Sequence, residues 1–392
     1  MVQKRADTRH SSSKGQEASR QTYGSPSSVR SGAAPGQALD SRGREVLRDI
    51  IHTYVATGEP VSSRVLSKHA QHGVSSATIR NVMADLEDLE LLRQPHTSAG
   101  RVPTEKAYRL YIENLMRMRR VSARERRYID DQLDVAAAAD DLVSIASHLL
   151  SELSSQVGVV LTPAAQDIVM RSADFVPLGG HRVLCVLVSQ SGFVDNVVVE
   201  TETEIERGDL VRFSNYFTEH YAGRTLREVR DLLLRTMAEE RQQLDAWLRQ
   251  AMAFAQQALA EQVKRDVLVE GASTLLGRPE LSDVDRVRRM LDTFADKARL
   301  ANVLSLCLEA DDGVRVYLGE DSEVTSELEF SVVATPYGVD GSALGSLGVI
   351  GPSRMEYPRV VPLVRYLGET LTRALAREEE AARTDSTYST RS

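Results

Sequence analysis

The sequence predicts an α+β protein that opens with a winged helix-turn-helix and continues as a mixed body of strands and helices. Three observations lead there. Residues 41–91 carry three helical apolar periods separated by short turns; a turn-rich segment flanked by arginines follows at once; and beyond residue 166 short apolar runs of strand type stand on both sides of a long helical stretch. At 392 residues the chain is too long for one ordinary core, which suggests two or three domains with tails. With 42% hydrophobic but only 5% aromatic residues, the cores must be built from Leu, Val, Ile and Ala.

Residues 1–38 are rich in Ser, Gly, Gln and Arg and nearly free of large apolar side chains, so nothing repays the ordering of the backbone and a disordered tail is expected. Asp40 or Ser41 can cap a first helix in which Val46, Leu47, Ile50, Ile51, Tyr54 and Val55 share one face, and Thr57-Gly58-Glu59-Pro60 ends it. A second helix is expected near 62–69, followed by a turn at Gly73. Ser75 caps a third, expected over 76–91, whose inward stripe is Ile79, Val82, Met83, Leu86 and Leu89. Ser76, Ala77, Arg80, Asn81 and Ala84 occupy its opposite face. Residues 93–103, with turn formers at the centre and basic groups on each side, describe a β-hairpin wing.

Residues 104–162 look largely helical. Strands are expected at 167–175, 183–189 and 194–200, helical spacing over 208–263 and 283–309, strands again at 314–318, 328–336 and 343–350, and a final helix over about 360–377. The two strand blocks are expected to form one sheet, interrupted by a helical insertion near 203–310.

Several function classes are excluded by composition and spacing. The longest apolar runs, such as 183–188, fall far short of the roughly 20 residues that cross a bilayer. The first twenty residues lack the apolar stretch of a secretory signal, so no membrane contact and a cytoplasmic location are expected. Cys185 and Cys307 each sit within an apolar run and read as small buried hydrophobes. His69 and His72 are three apart but have no Cys or carboxylate nearby to complete a metal spacing, so they read as a helix-end and turn pair. Gly345, Gly348 and Gly351 do not make a dinucleotide fingerprint and read as turn and close-packing positions. No catalytic residue, metal or cofactor is expected.

Charge points instead to nucleic acid, but only locally. The chain is net −8, yet residues 1–120 hold 19 Lys/Arg against 12 Asp/Glu, while the remainder holds 29 against 44. Phosphate neutralisation therefore has to lie in the N-terminal part. A helix about 10–12 Å across fits the major groove and presents its N-terminal side chains to base edges. Ser75, Ser76, Thr78, Arg80 and Asn81 are suited to such contacts, with Arg80 for guanine acceptors, Asn81 for adenine, and the hydroxyls with the helix N-terminal amides for phosphate. Ser63 on the second helix and Arg93, His96, Thr97, Ser98 and Arg101 of the wing complete the expected DNA-binding set. A recognition helix covers few base pairs, so two copies are needed for genomic specificity. Their contact is expected on the apolar stripe of 226–259, at Leu233, Met237, Leu244, Trp247 and Leu248.

The strings EPVSSRVLSKHA (59–70), VSSATIRNVMADLEDLELL (74–92) and HTSAGRVPTEKAYRLYIENLM (96–116) closely resemble the heat-inducible transcription repressor family HrcA. The likeness continues more weakly at VRVYLGED (314–321) and at 335–371. It implies a winged-helix domain over 39–120, a GAF-like domain in two segments, 121–202 and 311–380, and a mainly helical dimerising domain inserted at 203–310. Residues 381–392 are left as a second disordered tail. It further implies a homodimer on the double-stranded CIRCE inverted repeat before chaperone operons, relieved on heat shock, with the GroEL chaperonin maintaining the active form. Two positions depart from the family pattern: Glu90 and Ala107 stand where Gly is common, and each bears on a helix end and hence on the angle of the wing. The competing functional expectation is a regulator whose GAF-like domain senses a small-molecule ligand.

Overall fold

The computed structural model describes residues 39–389, apart from 70–74, 97–98, 137, 165–167, 202–203, 240–265, 277–283, 309–312, 329 and 340. The expected tail at 1–38 and His72 lie outside the described residues.

Helix α1 (Ser41–Thr57) starts because the Asp40 carboxylate accepts the Gly43 amide at 2.6 Å. It stops at Gly58, whose φ of 73° turns the chain back so that its amide donates to the Tyr54 carbonyl at 2.8 Å. Helices α2 (Ser63–His69) and α3 (Ser76–Asp88) follow. α3 ends three residues earlier than expected. Glu90 takes φ 60°, so that its own amide reaches the Glu87 carbonyl and the Leu91 amide the Leu86 carbonyl, the paired bonds of a Schellman motif. Strands β1 (Leu92–Arg93) and β2 (Val102–Pro103) pair antiparallel and frame the wing. Then come α4 (Glu105–Leu110), a π-helical turn at Tyr111–Leu115 and the helices α5 (Ala123–Asp134) and α6 (Ala139–Ser154). Ala107 is fully buried in the first turn of α4, where its amide donates to the capping Thr104 Oγ1 at 3.3 Å.

The expected single sheet is corrected to two. Strand β3 (Val157–Leu161), read from sequence as the end of a helical stretch, is buried along its whole length between two antiparallel neighbours. A short apolar run buried on both faces carries no alternation to separate strand from helix. The first strand block, β4 (Met170–Gly179), β5 (Arg182–Ser189) and β6 (Val194–Glu200), forms a sheet of its own. It packs on α7 (Arg207–Tyr221) and α8 (Leu226–Glu239) around Phe175, Cys185, Phe213, Phe217 and Leu233. Among the described residues, the part that precedes β7 (Val267–Glu270) therefore begins with strands of its own, which pack on the helices that follow them.

After β7 come α9 (Val284–Ala295), α10 (Lys297–Ser305), β8 (Arg315–Leu318), α11 (Glu323–Leu328), β9 (Phe330–Val339), β10 (Ser342–Pro352) and α12 (Tyr357–Ser389). The main sheet has the order β7-β3-β10-β9-β8. α6 and α12 cover one face through Val160, Val333, Leu347 and Val349, and α9–α11 cover the other through Val159, Val332, Ala334 and Ile350. Gly345 and Gly348 lie within β10, where a β-carbon would strike the Leu161 and Val333 carbonyls, so close packing is their role. α12 continues through most of the expected C-terminal tail, since the run AREEEAAR consists of strong helix formers. Both cysteines are buried free thiols; burial pushes Cys185 up to about 12 and raises Cys307 as well, which leaves neither reactive.

Candidate nucleic-acid interface

The exposed face of α3 is set by a cap at its N-terminus and by the packing of its opposite side. Ser75 Oγ accepts the Thr78 amide at 3.1 Å and lies 2.9 Å from Thr78 Oγ1, closing the helix N-terminus. Ile79, Met83 and Leu86 are buried against α1 and α2, which turns Ala77, Arg80, Asn81 and Ala84 to solvent on the other side. Exposure, small neighbours and a guanidinium beside a carboxamide suit this surface to base edges. The second half of α3 is acidic, with Asp85, Glu87 and Asp88, so only its N-terminal half favours a polyanion.

The other expected residues divide by environment. Ser63 is buried; it accepts from Ser76 Oγ at 3.3 Å and so ties α2 to α3, a positioning part in place of the expected DNA contact. Arg101 is corrected in the same sense. Its Nε binds Glu87 Oε2 at 2.8 Å, its backbone pairs with Val61, and its side chain is only 25% exposed. It anchors the wing to α3 and neutralises one of the carboxylates there. Arg93 and His96 remain exposed at the base and tip of the wing, while Thr97 and Ser98 lie outside the described residues.

Two features escaped the sequence reading. Arg64 and Lys68 stand exposed one turn apart on α2, the helix that crosses the DNA backbone in this motif; basic residues at an i, i+4 spacing were the available signal. Gly100 packs so tightly that a β-carbon would come within 2.5 Å of the Val61 carbonyl carbon, which lets the wing lie on the strand segment before α2. Nothing in the local sequence marks that contact.

The expected dimer residues are only partly in view. Leu233 has no exposed surface and packs inside its own chain's second core, so it is removed from the contact set. The Met237 side chain, Leu244, Trp247 and Leu248 lie outside the described residues. A different apolar face is open. On the outer side of the three-stranded sheet Val176, Leu184 and Val198 form one cross-strand row and Val188 and Val194 another, with Val176, Val194 and Val198 between 44% and 47% exposed. Among the described residues no group of three His, Cys, Asp or Glu could hold a metal ion, and no helix is long and apolar enough to cross a membrane.

Comparison with known proteins places this geometry. Residues 38–116 match the model of the winged helix-turn-helix DNA-binding domain of HrcA repressors, and residues 140–361 that of the HrcA C-terminal domain. The chain is 38% identical over 337 residues to the heat-inducible transcription repressor HrcA of Xylella fastidiosa strain M23, covering 86% of this chain and 96% of the relative. It is 39% identical over 343 residues to that of Xanthomonas euvesicatoria pv. vesicatoria, covering 88% and 98%. A crystal structure described as a hypothetical protein shares the fold, with a TM-score of 0.57 at 23% identity over 87% of this chain and 99% of that one. With its capped reading helix, its wing and matches along most of its length, the chain belongs to the HrcA family of heat-inducible transcription repressors, non-enzymatic regulators that bind DNA through a winged helix.

Proposed function

We propose that this chain represses chaperone operons by binding the CIRCE inverted repeat as a cytoplasmic homodimer, that heat shock lifts the repression, and that the GroEL chaperonin maintains the active form. The exposed Arg80 and Asn81 on the N-terminal half of α3 carry the reading. They give one copy a base-reading surface of a few base pairs, and an inverted repeat asks for two such surfaces about a two-fold axis. The open valine face of the three-stranded sheet supports pairing away from the DNA, because a patch of that kind is costly to leave in water. Relatives of 38–39% identity bearing the name heat-inducible repressor support the link to heat.

A gel-shift assay on the chain's own chaperone-operon promoter, with and without chaperonin, tests the reading. A retarded complex that resists competitor DNA, tightens with chaperonin and is lost after a heat pulse is expected. Equal affinity for promoter and random duplex would overturn the operator assignment, and no response to chaperonin would remove that partner.

A further inference from the structure

Between α1 and the main-sheet domain lies a cleft of about 1080 Å³. One wall is the face of α1 bearing Arg48, His52 and Val55; the opposite wall is the turn into α12 at Arg354 and Met355; the linker at Arg117 and Met118 closes the side. Five guanidinium groups converge here, from Arg48, Arg117, Arg119, Arg354 and Arg359, against the carboxylates of Glu45, Asp49 and Glu356.

Part of that charge is used by the protein itself. Arg119 pairs with Glu356 at 2.7 Å, Arg359 reaches Glu125 at 3.3 Å and the Leu153 carbonyl at 3.0 Å, and Arg354 donates to the Val55 carbonyl at 3.4 Å. Two groups are left. Arg117 is exposed and has no ion pair among the described residues, and Arg48 Nε is buried with no acceptor. A buried donor without an acceptor is costly, and native structures seldom retain one without a reason. His52, donor or acceptor to Tyr111 at 2.9 Å, is held below the ordinary imidazole value, first by burial and further by Arg48 and Arg119, while Asp49 and Glu356 oppose the shift. The ring is then neutral near pH 7 and leaves the positive field to the guanidinia. Beside this basic end, half-buried Val55 and exposed Met118 supply an apolar wall.

We propose that this cleft binds a small phosphate-bearing molecule of about nucleotide size, its anionic end accepting from Arg48 and Arg117 and its apolar body lying on Val55 and Met118. Arginine forks match phosphate oxygens, and the cleft has the volume of ordinary small-molecule sites. The site joins the DNA-binding domain to the rest of the chain and goes beyond operator recognition.

Calorimetric titration of the full chain without DNA, at about 0.15 M salt, tests it with ATP and with inorganic phosphate as probes. Saturable binding of one ATP per chain is expected, weakened by inorganic phosphate. Arg48→Gln should lose at least tenfold in affinity, and Arg48→Lys should lose less. Should Arg48→Gln fail to fold, Ala56→Trp, which fills the cleft from an exposed position, should abolish the same heat. Absence of saturable binding, or unchanged affinity in both Arg48→Gln and Ala56→Trp, overturns the proposal. So does a result in which ATP leaves no heat while Arg48→Gln lowers the salt slope on random duplex, since the guanidinia would then serve the DNA backbone. Binding is read without DNA, so failure here leaves the promoter assay standing.

Discussion

Arginines of the same type do different work at positions a few residues apart, and their partners decide which. Arg80 is exposed on α3 beside Asn81, so Arg80→Ala or Asn81→Ala should reduce discrimination between operator and random duplex by about 1–3 kcal/mol each, as competition gel shifts would read. Arg93, exposed at the base of the wing, should act on all sequences alike: Arg93→Ala should lower the slope of log affinity against log salt by about one. Arg101→Ala should leave that slope in place and act through the loss of the Glu87 pair. Equal effects of all three on both duplexes would show that the assignment by partner is wrong. Glu90 is the complementary case, a side chain kept where the backbone favours none. Its φ of 60° is costly for an L residue, and its exposed pair with Lys106 at 3.1 Å contributes little. Glu90→Gly should therefore gain roughly 0.5–1 kcal/mol in denaturant melts, even after the extra chain entropy of glycine is counted. Unchanged or lower stability would mean that the ion pair or the chain entropy outweighs the relief.

At the scale of elements, α3 and the base of the wing are joined by contacts between segments far apart in sequence. Ser76 holds α3 on Ser63 of α2, Arg101 holds the wing on Glu87 of α3, and the bridge between Val61 and Arg101 closes the triangle. Gly100 is the tightest point of that assembly. Gly100→Ala must push the wing off residues 60–61, at an overpacking cost of about 1–3 kcal/mol. Binding to operator and random DNA should weaken together while the α3 contribution to discrimination survives, which paired gel shifts and salt titrations can read. Full affinity in that variant would show that the wing does not lie on the DNA.

Across the whole molecule, the two faces of the three-stranded sheet differ in exposure, and the difference points to where a second copy docks. The inner face of the three-stranded sheet is filled by α7 and α8, with Leu233 fully buried, whereas the outer face leaves Val176, Val194 and Val198 in solvent. Val198→Asp should therefore give a folded monomer with much weaker operator binding, measured by sedimentation and gel shift. Leu233→Asp should unfold the second core instead, because a charge without a partner in a closed core is far more costly than one at a rim. A Val198→Asp protein that stays dimeric would move the contact to another surface of the chain.

What the linear sequence determined is local and periodic. The caps at Asp40 and Ser75, the inward stripe of Ile79, Met83 and Leu86, the wing between Arg93 and Arg101 and the strands at 183–189 and 194–200 all follow from interactions within a few residues or from a repeat of 2 or 3.6. The departure at Glu90 was visible as well, although not that it ends α3. Only the tertiary structure decided which strands share a sheet, because β3 and β7 are paired by partners roughly a hundred or more residues away and carry no alternation of their own. The same holds for the fates of Ser63, Arg101 and Leu233. Residue type marks each as polar, basic or apolar, but burial and partners are properties of packed elements, and these turn an expected DNA contact into a brace and an expected subunit contact into core.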